Sequence, residues 1–510
     1  MTAPKILRQA GTVSFATLVS RILGYARDAL VAAAFGGGYL TDAFYAAFRI
    51  PNLLRRLLGE GPLTSAFVPL FTHRLESGHP DDARRFFQTL FSTLGLLLLG
   101  LVGLGIVFAP QLVGVVAWGF RADPEKFDLT VRLTRVMFPF LLFVCLAAIS
   151  AGALNALGYF FIPALAPAML SVAEIGFIFF LFKMWSNPLD GLAVSALVGG
   201  VLHFAVLLPL LRKERMPLRF HWEPRHPEVR RVGLALLPAV WGLSVDQISA
   251  FIDTLCASFL SEGSVTALYN SNRLMQLPLA LFGIAMSTAA LPSLSASLAR
   301  GDDREAKETL NLSLRLVFFT VVPAMVGLIV LGTPIIQLLF EHGRFTSRAT
   351  ALTASALAGY ALGLPAYAAV KVLASAFFAP TDTKTPVRVA NISMGVNIVG
   401  NLVLMGPWGV GGLAFATAIA SGVNAALLFW LLRRRLGLLG GRRLGLSLLK
   451  SGAASAGMGV AAGAWVHWGA GPLAARVAVA VAGGAALYFV LARAFRCEEG
   501  AHLSALFRRA

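Results

Sequence analysis

The sequence predicts an all-α polytopic membrane protein of fourteen transmembrane helices. Two parallel six-helix repeats are expected, followed by two C-terminal helices. Three observations lead there. The chain is 57% hydrophobic and only 13% charged, where soluble proteins carry about 25% charged residues. Apolar runs long enough to cross a bilayer follow one another to the C-terminus. And the two halves share a register of loop residues. SAFVPLFTHRLESGHPDDARRF (65–86) aligns with TAALPSLSASLARGDDREAKET (288–309), so that Pro69 falls on Pro292, Gly78 on Gly301 and Arg84 on Lys307. Tyr45-x3-Arg49 likewise falls on Tyr269-x3-Arg273, and Gly191-Leu192-Ala193 on Gly412-Leu413-Ala414. Six spans per half is an even number, so both halves start on the same side and the repeats are parallel.

In chain order the expected spans are 11–35, 40–73, 86–118, 128–155, 160–184, 190–211, 232–260, 266–298, 309–340, 349–378, 386–405, 410–432, 446–468 and 473–494. They group into an N-lobe (1–215), a C-lobe (216–436) and a C-terminal pair with its tail (437–510). The N-terminus leads straight into the first span and reads as a signal anchor. Orientation follows from the basic residues. The segments 212–231 and 433–450 are strongly basic, whereas the opposite loops hold only Arg121, Lys126, Arg344 and Arg348. Both termini are therefore expected in the cytoplasm. The net charge of +18 is attributed to those loops, and no nucleic-acid partner is expected. Cys145, Cys256 and Cys497 are scattered and imply neither a disulfide framework nor a metal site. No GxxxxGK[ST] loop, HExxH or GxSxG is present, which argues against P-loop ATP hydrolysis and against those zinc- and serine-dependent reactions.

The first two spans carry the charges that need explaining. Residues 20–61 read as two apolar helices joined at Gly36-Gly37-Gly38, yet they hold Arg21, Arg27, Asp28, Asp42, Arg49, Arg55, Arg56 and Glu60. A charge at the centre of a bilayer costs about 2.5–3.5 kcal/mol on insertion scales, so these side chains must face protein or a water-filled cavity. Asp42, Arg49 and Arg56 recur every seven residues and share a helical face with Asn52 and Glu60. Pro51 interrupts the hydrogen-bond ladder there. Arg273 would add a guanidinium from the other half. Guanidinium forks bind phosphate bidentately, so an anionic substrate, best a phosphate or diphosphate, is expected. The plainer reading is that Asp28, Asp42 and Glu60 pair with arginines to lock helices. In the second half Asp253, Asn397, Asn401 and Thr417 form a set of one carboxylate and neutral oxygens suited to a hard cation such as Na⁺. Interhelical hydrogen bonding and a proton relay through Asp253 are the alternatives.

The motifs SRxLGxxRD, GxxxxxDAFxxAFxxPNLLRRLxxEG and AFVP, with NRLMQLP (272–278) and KVLASAFFAPTDTKTPV (371–387), resemble the signature of the MviN/MurJ family. Its members are lipid II flippases of the multidrug/oligosaccharidyl-lipid/polysaccharide superfamily. The resemblance covers nearly the whole chain. It implies a V-shaped cavity between two lobes and a hydrophobic groove formed by the last two helices. By motif position it implies substrate-binding roles for Arg21, Arg27, Asp28, Asp42, Arg49, Arg55, Glu60 and Arg273. It implies a sodium site, known in some members, at Asp253, Asn397, Asn401 and Thr417. Some members have an acid where Asn401 stands, and others have acids around Arg273 where this chain has Asn272 and Gln276.

The function implied is transfer of undecaprenyl-diphosphate-linked peptidoglycan precursor across a bacterial inner membrane by alternating access. No catalytic residue and no required cofactor are expected. The chain would act as a monomer among membrane lipids and cell-wall synthesis proteins. The alternatives are an exporter of another polyprenyl-linked glycan or a drug, a membrane glycosyltransferase, and a non-transporting scaffold.

Overall fold

The computed structural model describes residues 3–59, 62–77, 80–216, 218–223, 227–380 and 382–500. No strand occurs among them. By the packing of its helices the chain divides into two compact units. The first comprises Met1–Phe259 with Gly343–Phe345, and the second Leu260–His342 with Thr346–Ala510.

The first unit holds α1 (Ala3–Phe35), α2 (Tyr39–Leu58), α3 (Pro62–Glu76), α4 (Pro80–Val107), α5 (Ala109–Val116), α6 (Pro124–Met137), α7 (Phe140–Ala156), α8 (Phe161–Leu165), α9 (Ala168–Gly176), α10 (Pro188–Ala205), α11 (Leu208–Lys213) and α12 (Pro227–Ala257). Several starts are written in the sequence. Asp123 accepts from the Lys126 amide and Pro124 follows it at the first helical position. Asn187 accepts from the Leu189 amide ahead of Pro188. Both patterns satisfy amides that the helix itself leaves open. The run expected as one span over 160–184 is instead divided into α8, α9, a π-helical turn at Phe177–Leu181 and a 3₁₀ turn at Phe182–Met184. Pro163 and Pro167 remove donors from the ladder there. The unit's core is aromatic: Phe67, Phe71, Phe86 and Phe87 are fully buried between α3, α4 and α7, with Phe67 and Phe71 centroids 5.1 Å apart. A second cluster joins Ile50, Leu98, Val113, Phe138, Leu141 and Cys145. The compact unit extends to Phe259, past the expected lobe boundary at 215, because α12 packs on α2, α3, α4 and α5. Gly343–Phe345 also belongs here: the Arg344 amide donates to Ala33 O at 2.8 Å. Gly343 has φ +59°, and a Cβ there would lie 2.3 Å from Ala33 O, so the contact requires glycine.

The second unit holds α13 (Ser264–Pro278), α14 (Ala285–Ala299), α15 (Asp303–Phe340), α16 (Ser347–Leu362), α17 (Leu364–Phe378), α18 (Lys384–Leu436), α19 (Gly441–Trp468) and α20 (Leu473–Ala494). Pro292 lies inside α14 as Pro69 lies inside α3, so the aligned residues occupy like elements. As one rod the 53 residues of α18 would run about 80 Å, against a hydrocarbon core of about 30 Å. The rod is broken at Gly409, whose φ of 53° and ψ of −133° fall outside the helical region. The two arms lie side by side: Ser393 Oγ donates to Ala420 O at 2.6 Å, and a Cβ on Gly400 would meet Ala416 Cβ at 2.9 Å. α18 is therefore the pair of spans expected over 386–405 and 410–432. Phe319, Ala454, Met458, Tyr488 and Ala492 bind α15, α19 and α20 together.

Among the described residues seven helices are long and apolar enough to cross a membrane, and the α16–α17 pair, bent by 41°, makes an eighth. The fold is an all-α polytopic membrane protein.

Candidate functional site

The glycine run at 36–38 ends α1 and starts α2, and these two helices carry most of the charges named from the sequence. Arg27 and Asp28 are both buried on α1. The Arg27 guanidinium donates to Asp28 Oδ1 through Nε at 2.9 Å and Nη2 at 2.6 Å. On its other side Arg27 Nε lies 3.5 Å from Glu174 Oε2, on α9. Glu174 is 3% exposed. One guanidinium thus faces two carboxylates in a setting where charges are strongly coupled.

Asp42 stands in the first turn of α2, where a carboxylate suits the helix dipole. Lys126 Nζ of α6 lies 3.2 Å from Asp42 Oδ2. A lysine not singled out from the sequence is therefore a partner of Asp42. Seven residues on, the half-buried Arg49 donates through Nε to Thr254 Oγ1 of α12 at 3.0 Å. Arg55 Nε donates to Asn52 Oδ1 on its own helix at 3.0 Å. The heptad-spaced face of α2 is therefore split between α6 at its start and α12 about two turns beyond. Arg21 is exposed and Arg56 is half-buried. Glu60 lies outside the described residues.

In the second unit Arg273 is half-buried on α13, and Gln276 Nε2 donates to Asn272 Oδ1 beside it. Asn397, Asn401 and Thr417 come together between the arms of α18. Asn397 Nδ2 donates to Thr417 Oγ1 at 3.1 Å, and Asn401 Nδ2 to Asn397 Oδ1 at 3.4 Å. Thr417 Oγ1 donates onward to Leu413 O at 3.1 Å. Neutral amide and hydroxyl groups thus link the two arms. By donor chemistry they suit a hard monovalent cation once a carboxylate is added. Asp253 is buried on α12 in the first unit. No group of three His, Cys, Asp or Glu side chains able to hold a metal occurs among the described residues.

Two charged side chains at these contacts were not singled out from the sequence. Glu174 is a lone carboxylate in the apolar run SVAEIGF, a signal that was present. Lys126 sits between Asp123, Glu125 and Asp128, a pattern that resembles a solvated loop, and only the fold shows that it is 6% exposed.

Apolar helices of membrane-crossing length that enclose paired charges define the class: a polytopic membrane transport protein. The model of the family described as lipid II flippase MurJ matches residues 31–476. A probable lipid II flippase MurJ from Rhizobium tropici is 41% identical over 428 residues, covering 83% of this chain and 80% of the relative. The lipid II flippase MurJ of Burkholderia cenocepacia is 39% identical over 435 residues, 84% of each chain. Among solved structures, a lipid II flippase MurJ in an inward closed conformation superposes with a TM-score of 0.80 at 28% identity, over 95% of this chain and 98% of that one. An inward-facing multidrug-resistance MATE transporter of the MOP superfamily shares the fold at TM-score 0.68 and 17% identity. The chain belongs to the MurJ lipid II flippase family.

Proposed function

We propose that this chain moves lipid II, the undecaprenyl-diphosphate-linked disaccharide pentapeptide, from the inner to the outer leaflet of the bacterial cytoplasmic membrane. The family match over residues 31–476 carries the reading, and the arginines of α1, α2 and α13 support it. No covalent bond changes, so the protein is a transporter and not an enzyme. The barrier removed is that of taking a charged, sugar-bearing headgroup through hydrocarbon. Arg21, Arg27, Arg55 and Arg273 carry the diphosphate charge in transit. Asp28 and Asp42 hold cations in place, and Arg49 and Glu60 complete the charged set. Transport requires an inward and an outward state. The membrane potential biases the two, at about 2.3 kcal/mol per charge per 100 mV. A sodium ion, where used, would be held by Asp253, Asn397, Asn401 and Thr417. The lipid tail stays in the bilayer or against α19 and α20, both termini face the cytoplasm, and the chain works as a monomer beside cell-wall synthesis proteins.

The test is outer-leaflet accessibility of lipid II in cells depleted of this protein and rescued by wild type or Arg273→Ala at equal membrane levels. Rescue by wild type alone supports flipping on the arginines. Equal rescue by both removes Arg273 from the substrate path. Exposure independent of the protein refutes lipid II as substrate and favours another polyprenyl-linked glycan.

A further inference from the structure

We infer that Lys126 is a positioning residue of the flippase, through which Asp42 sets the start of α2. The geometry is that of a sealed cation. Lys126 Nζ lies 3.2 Å from Asp42 Oδ2. It also stands 4.3 Å from the ring centroid of Phe120 and 5.3 Å from that of Tyr39. Both distances are within the reach of a cation–π contact. Lys126 is 6% exposed and Asp42 1%.

Three elements meet at this one ammonium. Tyr39 and Asp42 come from the first turn of α2, Phe120 from the 3₁₀ turn Trp118–Ala122, and Lys126 itself from the first turn of α6. Lysine reaches the spot because Asp123 and Pro124 start α6 immediately before it. The α2 helix then runs from this anchor to Arg49 and Arg55, so the anchor fixes where the start of the arginine-bearing helix sits against α6. A compact ammonium on a four-carbon stem suits a site with one carboxylate and two ring faces. Removing either charge strands the other in a buried setting, whereas removing both leaves neutral groups of similar shape. The pair should therefore show strong coupling in a double-mutant cycle.

The transport readout rests on the flippase reading above, and a chemical readout does not. Full-length protein is reconstituted in vesicles with lipid II, and flipping is compared for Asp42→Asn, Lys126→Met and the double variant at matched protein levels and melting temperatures. Each single variant is expected to lose about tenfold or more in rate, and the double to regain most of that loss. A double variant as slow as Asp42→Asn, or a Lys126→Met variant at the wild-type rate, would overturn the inference. Separately, wild-type protein is treated with an amine-acylating ester and read by mass spectrometry. Lys126 is expected to react about tenfold or more slowly than the exposed Lys384 and to be exposed by Asp42→Asn. Equal labelling of the two lysines in the wild type overturns the inference even if every variant fails to fold. Protected Lys126 with no flipping by any form, wild type included, counts against the flippase reading and leaves the anchor standing.

Discussion

Replacing Arg27 with alanine removes a guanidinium that faces both Asp28 and Glu174. Its contacts are 2.6 Å to Asp28 and 3.5 Å to Glu174. At an effective dielectric constant of about 20 these correspond to gross attractions of about 6 and about 5 kcal/mol, most of which desolvation offsets in the intact protein. In the variant the desolvation remains and the attraction is gone. Two carboxylates, 1% and 3% exposed, are left together without it. Breaking a buried pair in this way costs about 3–5 kcal/mol. For a compact unit of this size that lowers the melting temperature by about 5–9 °C. The assay is tryptophan fluorescence of purified full-length protein in detergent, heated at one fixed rate so that irreversible steps compare fairly. Arg27→Ala combined with Glu174→Gln should melt above Arg27→Ala, because one stranded charge has been neutralised. Arg304→Ala, which breaks an exposed i,i+4 pair with Glu308, should move stability by less than about 0.5 kcal/mol. If Arg27→Ala unfolds at the wild-type temperature, the buried charge triad contributes nothing and the reasoning fails.

Other expectations follow from single contacts. A Cβ at Gly105 of α4 would lie 2.0 Å from the Phe138 ring, whereas one at Gly103 would meet nothing within 4 Å. Gly105→Ala should therefore cost about 1–3 kcal/mol by overpacking, with Gly103→Ala neutral or better in the same melt. Tyr488→Phe removes a 2.6 Å hydrogen bond from the phenol to Phe319 O and should cost about 1 kcal/mol, read as a lower melting temperature. Glu341, just past α15, is held below its ordinary pKa of 4.5 by the hydroxyl of Thr350 and then that of Ser347. A depressed carboxylate stabilises the fold above its unfolded pKa, and the gain is lost as pH falls through the folded value. Melting temperature measured from pH 7 downward should thus fall below pH 4.5 less steeply in Glu341→Gln than in wild type. Equal slopes would remove Glu341 from the acid response.

Much of the fold was legible because bilayer physics leaves few options for an apolar chain. The breaks at Gly36–Gly38 and Gly409 are local events, and glycine announces them. The division of 160–184 by Pro163 and Pro167 was written in the sequence too, but hydropathy averaged over a span conceals it. The site was legible as a set of charges and illegible as a set of partners. Seven-residue spacing places Asp42 and Arg49 on one face of α2, yet it cannot say that the face passes from α6 to α12. Glu174 and Lys126 come from distant elements, and nothing near them in the chain points to Arg27 or Asp42.

The broken helix at Gly409 bears on how the chain is made. Its arms touch through residues only 27 positions apart, Ser393 and Ala420. At about 5–20 residues per second the second arm is synthesised within seconds of the first, before the C-terminal pair is complete. The hairpin can therefore close as it leaves the ribosome. Asn397, Asn401 and Thr417 then bond to each other before α19 and α20 have arrived, and the donors of these bonds enter the membrane already paired.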